Sequence, residues 1–207
     1  MTLVKICGLT NLEDARAAVD AGADMLGFNF YRPSPRYIEP DVARLIIDEL
    51  PENIISVGVF VNQPLAEVER IAGETGVRIL QLHGDESPEY CAALKATGRQ
   101  VMKVFNSGEN FNARFIGDYH VDLVMVDAAA GGIRGGTGQL SDWSQARQAR
   151  DIFPQMFLAG GLSLENVNAA IKVVQPFGVD ACSSLELGPG EKDHARVSAF
   201  VAAVRAA

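Results

Sequence analysis

Short apolar runs and amphipathic stretches alternate along the whole chain. Runs rich in Val, Ile, Leu and Phe fall at residues 3–7, 25–30, 55–60, 79–83, 101–105, 122–127, 156–160 and 179–183. They lack the polar alternation of half-exposed strands and read as parallel strands covered on both faces. Between them polar residues return at helical period. Residues 11–21 open on Asn11, residues 64–75 on Pro64 and residues 193–205 on Asp193. Asn and Asp accept from the unpaired N–H groups of a helix start, and a first-turn Pro has no N–H to satisfy. Residues 163–174 carry Ser163 three positions before Asn166, with Glu165 in the first turn. That helix is expected to follow directly on Gly160 and Gly161, and Trp143 in "LSDW" reads as packing plus another helix start.

Eight strands with a crossover after each leave two architectures, a closed (β/α)8 barrel and an open doubly wound sheet. The count of eight and the absence of GxGxxG after the first strand favour the barrel. The expected fold is α/β, a minimal (β/α)8 TIM barrel forming a single domain over residues 1–207. Its weakest unit is the fifth, where "NSGENFNARFIGD" supports at most a short, poorly patterned helix.

Composition narrows the function classes. The chain has 207 residues, 48% hydrophobic and 21% charged, as in a globular domain, and no apolar run approaches a membrane span. No signal-peptide pattern is present, so the expected location is cytoplasmic. A net charge of −8 argues against nucleic acid, which calls for a basic stripe. Cys7, Cys91 and Cys182 are odd in number and widely spaced, so a disulfide framework and a cysteine-rich zinc site are both disfavoured. His83 has no partner at ligand spacing, and His120 and His194 read as isolated surface residues. No metal or cofactor is expected.

In a barrel of this kind, chemistry sits where strands end. The first strand ends in Cys7 and Gly8, the fourth in "LQLHG" with His83 as a rim candidate, and the sixth in Asp127. "YRPSPRY" follows the second strand and carries Arg32 and Arg36. Gly136 and Gly138 in "GGTG", Gly160 and Gly161 in "AGG", and Ser183 and Ser184 in "CSS" cluster after strands six to eight. Glycines and helix starts let backbone N–H groups approach an anion, so these loops are expected to hold a phosphate. Asp127 is a carboxylate closing an apolar strand, where an unpaired charge is costly without a role or a partner. Cys7 reads either as a small core hydrophobe or as a thiol set to ionise. The ends of the first and sixth strands face each other across the mouth, so a thiol and a carboxyl there suit proton transfer on one ligand. Arg36 has the fork for a carboxylate; Arg32 reads as solvated.

Together "KICGLT", "GFNFYRPSPRY", "VGVFVN", "LQLHGDE", "VDAAAGGIRGGTG", "FLAGGLSLENV" and "PGEKD" resemble the phosphoribosylanthranilate isomerase family of tryptophan biosynthesis, in order and over nearly the whole chain. The resemblance implies a (β/α)8 barrel that isomerises a phosphorylated aminosugar by an Amadori rearrangement without metal or cofactor. It implies Cys7 as general base, Asp127 as general acid and Arg36 as the residue holding the anthranilate carboxylate. Monomer and homodimer are both open. The chain departs from the family pattern after the eighth strand, where "SSGVE" becomes Cys182, Ser183, Ser184, Leu185 and Glu186. Ser184 thus replaces a glycine, and its hydroxyl is expected to donate to the phosphate. Ser141 stands where an aromatic is common, and "AAAGGIR" is expected to act as a lid. Two rivals are a metal-dependent pentose-phosphate epimerase, which needs a His and Asp cluster, and a barrel that binds a phosphorylated ligand without turning it over.

Overall fold

The computed structural model describes residues 1–128 and 142–207; Gly136, Gly138, Ser141 and, apart from Ala128, the segment read as a lid lie outside them. The eight strands are present as β1 (Leu3–Cys7), β2 (Met25–Asn29), β3 (Ile55–Phe60), β4 (Ile79–Leu82), β5 (Gln100–Asn106), β6 (Leu123–Asp127), β7 (Met156–Leu158) and β8 (Gly178–Ala181). They form a closed parallel barrel in sequence order. Closure comes from β8 pairing with β1, with Ile6 beside Ala181.

The continuous apolar runs follow from that closure. Alternate residues point inward, where Met25, Val57, Ile79, Met102, Met125 and Phe157 fill the barrel. The residues between them, among them Ile6, Leu26, Leu80, Val124 and Leu158, pack against the helices. Both faces of every strand are therefore buried, which removes the period-two pattern. Gly178 makes room for the interior, since a Cβ there would lie 2.2 Å from the Phe157 ring.

Among the described residues seven helices cover the barrel: α1 (Leu12–Asp20), α2 (Pro40–Asp48), α3 (Leu65–Thr75), α4 (Pro88–Lys95), α5 (Trp143–Ile152), α6 (Val167–Val174) and α7 (His194–Arg205). Asn11 caps α1 by accepting from the Asp14 N–H, and Asp193 caps α7 by accepting from Ala195 and Arg196. The weak fifth unit is a 3-10 helix, Ala113–Tyr119. No helix among the described residues is long and apolar enough to cross a membrane.

Two local expectations need correction, and a third feature is new. The helix after Gly161 begins only at Val167, because Asn166 instead accepts from the Ser163 N–H and donates to the Gly161 carbonyl, closing a turn. The glycines therefore do not open a helix. Second, His194 is not isolated: its Nε2 lies 2.8 Å from Asp14 Oδ1. Third, an unexpected hairpin of β9 (Glu186–Gly188) and β10 (Glu191–Lys192) follows the eighth strand. It brings Glu186 and Lys192, both buried, to the rim.

Candidate active site

The inward positions of β1 are Leu3, Lys5 and Cys7, and those of β8 and its end are Gly178, Asp180 and Cys182. Lys5 is fully buried and donates to Asp180 Oδ1 at 2.8 Å across the closing seam. Cys7, half-buried at the rim, stands one inward position above it. Gly27 of β2, in register with Cys7, makes this arrangement feasible. A Cβ on Gly27 would meet Cys7 Sγ at 2.7 Å and Lys5 Nζ at 3.0 Å.

The titration of Cys7 is set by these neighbours. A hydrogen bond from the Cys182 thiol pulls it down, burial opposes, and the cations of Lys5 and Lys192 pull it further down, leaving it well below the ordinary thiol range. Cys182 goes the other way, held up by the same hydrogen bond and by burial. The Cys182 thiol also donates toward Glu186 Oε1, 3.7 Å away. Of the two options for Cys7 in the sequence, the surroundings are those of an ionised sulfur. Burial pushes the Asp180 carboxyl up to about 7 against the pull of Lys5. By contrast Cys91, on α4, is a core thiol that burial pushes up to about 11.

Across the mouth, Asp127 ends β6. Its Oδ1 accepts from the Ala128 N–H at 2.7 Å, and its backbone carbonyl accepts from the amide and hydroxyl of Ser107. His83 follows β4 and places Nε2 3.2 Å from Asp127 Oδ2, too poorly aligned to count as a hydrogen bond. His83 and Asp127 are thus neighbours. Among the described residues no group of three or more His, Cys, Asp or Glu side chains is arranged to hold a metal.

A concavity opens between Asp127 and the ends of β7 and β8, lined among others by Gly160, Gly161, Asp180, Ser183 and Ser184. Gly160 and Gly161 both have positive φ, 86° and 61°. A Cβ on Gly160 would lie 2.5 Å from the Ala128 nitrogen, so this turn needs glycine twice over. No acceptor among the described residues takes the N–H groups of Gly160, Gly161, Ser183 or Ser184. Four such donors around one concavity suit an anion. The Ser184 hydroxyl donates to the Leu162 carbonyl at 2.5 Å. Its single proton is committed there, so the expectation that it donates to a phosphate is corrected: what Ser184 offers is its backbone N–H.

Arg36 arrives from the β2–α2 loop and is only partly free. Its Nε and Nη2 are gripped by Glu186 at 2.7–3.1 Å. Lys192 Nζ donates to the same carboxylate at 2.9 Å. Hydrogen bonds with Glu186 hold the Arg36 guanidinium above its usual value. Burial alone would raise Glu186, but Arg36 and Lys192 outweigh it and leave that carboxyl below its usual range. Among the described residues nothing accepts from Arg36 Nη1, which leaves one edge of the guanidinium for a ligand. Arg32 is exposed and reaches Glu39 at 3.6 Å, away from these groups.

Lys5, Asp180, Glu186 and Lys192 were not singled out from the sequence. The first two had a signal, a charge in the middle of each of two apolar runs, "LVKIC" and "GVDAC". Glu186 and Lys192 depend on a hairpin with no strong local pattern.

Comparison with known proteins agrees with the geometry. The family model described as N-(5'phosphoribosyl)anthranilate (PRA) isomerase matches residues 4–203. The N-(5'-phosphoribosyl)anthranilate isomerase of Geobacter sp. (strain M21) is 46% identical over 202 residues, 98% of this chain and 97% of that protein. The crystal structure of phosphoribosyl anthranilate isomerase from Thermotoga maritima superposes with a TM-score of 0.92 at 39% identity, covering both chains completely. A second structure, in complex with reduced 1-(o-carboxyphenylamino)-1-deoxyribulose 5-phosphate, has a TM-score of 0.89 at 38% identity, again over the whole of both chains. The chain belongs to the N-(5'-phosphoribosyl)anthranilate isomerase family.

Proposed function

We propose that this enzyme converts N-(5-phosphoribosyl)anthranilate to 1-(2-carboxyphenylamino)-1-deoxyribulose 5-phosphate, an Amadori rearrangement within tryptophan biosynthesis, by acid–base catalysis between Asp127 and Cys7. The observation that carries the reading is the contrast at the mouth: a sulfur beside a buried cation on β1, facing a carboxyl on β6 beyond β7 and β8. Asp127 donates a proton to the furanose ring oxygen, the C1–O bond breaks, and the anthranilate nitrogen supplies the electron pair that forms the Schiff base. The Cys7 thiolate then takes the C2 proton. Those electrons move to form the C1–C2 double bond, and the iminium nitrogen regains its pair. Tautomerisation of the resulting enolamine gives the ketone.

The other groups fit the two ends of this substrate. The N–H groups of Gly160, Gly161, Ser183 and Ser184 receive the phosphate, joined by Gly136 and Gly138 from the neighbouring loop. The free edge of Arg36, braced by Glu186, receives the anthranilate carboxylate. His83, beside Asp127, lines the pocket. The ligand in the solved relative is a reduced form of the proposed product.

The test is loss of anthranilate-type fluorescence on addition of enzyme. Cys7→Ser and Asp127→Asn are each expected to lower kcat by roughly 10²–10⁴-fold, the usual contribution of one acid or base. Full turnover in either variant removes that residue from the mechanism.

A further inference from the structure

An ammonium has three N–H donors and no acceptor, so burying one is costly unless each hydrogen finds a partner. Lys5 is buried completely, yet among the described residues only one oxygen accepts from it, Asp180 Oδ1. Its other polar neighbour is the sulfur of Cys7. The side chains of Lys5 and Cys7 converge on the space that a Cβ on Gly27 would fill, at 3.0 and 2.7 Å from it. Those two distances keep the ammonium and the sulfur within about 6 Å, the range in which an opposite charge moves a titration.

We propose that Lys5 is a positioning residue for the isomerisation: anchored by Asp180, its ammonium stands against the Cys7 sulfur across the gap left by Gly27, keeping that sulfur ionised and turned toward the sugar. This inference rests on the reading of Cys7 as the base. Asp180 fixes where that ammonium stands, by accepting one of its hydrogens at 2.8 Å. A buried lysine with no anionic partner loses its proton readily, and a neutral amine gives a thiolate no support. Lys5 has two such partners, the Asp180 carboxyl and the Cys7 sulfur itself, so the sulfur still holds the cation when the carboxyl is removed. Burial would by itself push Lys5 down, but Asp180 and Cys7 outweigh it and hold the ammonium above the ordinary lysine range. Lys5 thus keeps its proton while the sulfur exchanges one with the substrate.

Several other charged and titratable groups face this sulfur or its neighbours. Cys182 follows β8 and acts on Cys7, and Arg36 approaches from the β2–α2 loop. Lys192, on β10, donates to Glu186 Oε1 and the Cys182 carbonyl, so its hydrogens are occupied elsewhere. Asp127, on β6, acts on Asp180. Of the cations among the described residues, Lys5 alone sits directly beneath Cys7 with hydrogens to spare.

The experiment follows alkylation of Cys7 by iodoacetamide against pH in the full chain, resolved by mass spectrometry of the peptide, beside the pH profile of kcat/KM. In Lys5→Met the alkylation midpoint is expected to rise by about one to three pH units, with the acid limb of kcat/KM rising equally. In Asp180→Asn, which removes a negative neighbour and leaves the cation, the midpoint is expected to fall. A purely structural role would lower activity in both variants without opposed shifts. An unmoved midpoint in Lys5→Met, or shifts of the same sign in both, overturns the proposal. Should Lys5→Met not fold, Asp180→Asn decides alone: a fall supports the proposal, and a rise or no change overturns it. A midpoint that moves while the kcat/KM limb stays put instead overturns Cys7 as the base, and with it the part of Lys5 in turnover.

Discussion

Lys5 and Lys103 are both buried lysines on barrel strands, each paired with a carboxylate, but they sit on opposite faces of the sheet. Lys103 shares the outward face of β5 with Val101 and donates to Glu86 and to the carbonyls of Leu82, Gly84 and Val104, at 2.8–3.2 Å. Glu86 in turn accepts from the Asn62 and Gly84 amides. Nearly every donor and acceptor in that cluster has a partner within the protein, and the result is a clamp on the loop after β4. Lys5 faces inward and, among the described residues, has one oxygen partner, with the Cys7 sulfur beside it. A buried cation whose bonds are complete holds structure. One whose bonds are incomplete has something left to offer a reacting group.

This contrast can be tested from both sides. The largest expected effect is on stability. Lys103→Met leaves Glu86 as an uncompensated buried charge and should cost about 3–5 kcal/mol in denaturant unfolding. The midpoint for Cys7 alkylation should stay in place, and a shift would erase the distinction between the lysines. Next come two matched glycines. A Cβ on Gly84 would meet Asn62 Oδ1 at 2.2 Å and Glu86 Oε1 at 2.6 Å, whereas one on Gly27 would meet Cys7 and Lys5. Gly84→Ala and Gly27→Ala should each cost about 1–3 kcal/mol by crowding. Only Gly27→Ala should also move the Cys7 titration and depress kcat.

The mildest test leaves the protein unaltered. Cys7 is depressed, so its thiolate is present above that lowered value and is lost as pH falls through it. The acid limb of kcat/KM should therefore lie below the ordinary thiol value of about 8.5. At neutral pH iodoacetamide should modify Cys7 well ahead of Cys91, whose thiol is raised and buried. Peptide mass spectrometry after brief exposure reads this directly, and equal labelling would contradict it. Smallest of all, Ser184→Ala should cost about 1 kcal/mol through the lost bond to the Leu162 carbonyl. Substrate KM should change by less than about twofold, because the backbone N–H survives; a larger rise would restore the hydroxyl as a ligand for the anion.

What was legible in the sequence divides by distance along the chain. The strands were readable because burial on both faces leaves a plain apolar run, and the starts of α1 and α7 because Asn11 and Asp193 act on amides two or three residues away. Cys7, Asp127 and the glycines near Gly160 were visible as unusual residues at strand ends. The start of α6 was misplaced because Ser163 and Asn166 can close a turn as well as cap a helix. The brace on Arg36 and the cation under Cys7 were invisible for a different reason. Glu186 lies 150 positions from Arg36, and Asp180 lies 175 from Lys5, so no local pattern records either bond.

The seam between β8 and β1 makes Cys7 a clock for folding. Its sulfur shares β1 with Lys5, but Asp180, Cys182 and Lys192 come from the other end of the chain. Loop closure over such a span is slow compared with local helix formation. Until the ring of strands is shut, the thiol belongs to an open sheet and lacks Asp180, Cys182 and Lys192 around it. Sharp reactivity at this one atom therefore marks the moment the last strand docks, and a chain stalled before that step carries the residue without its power.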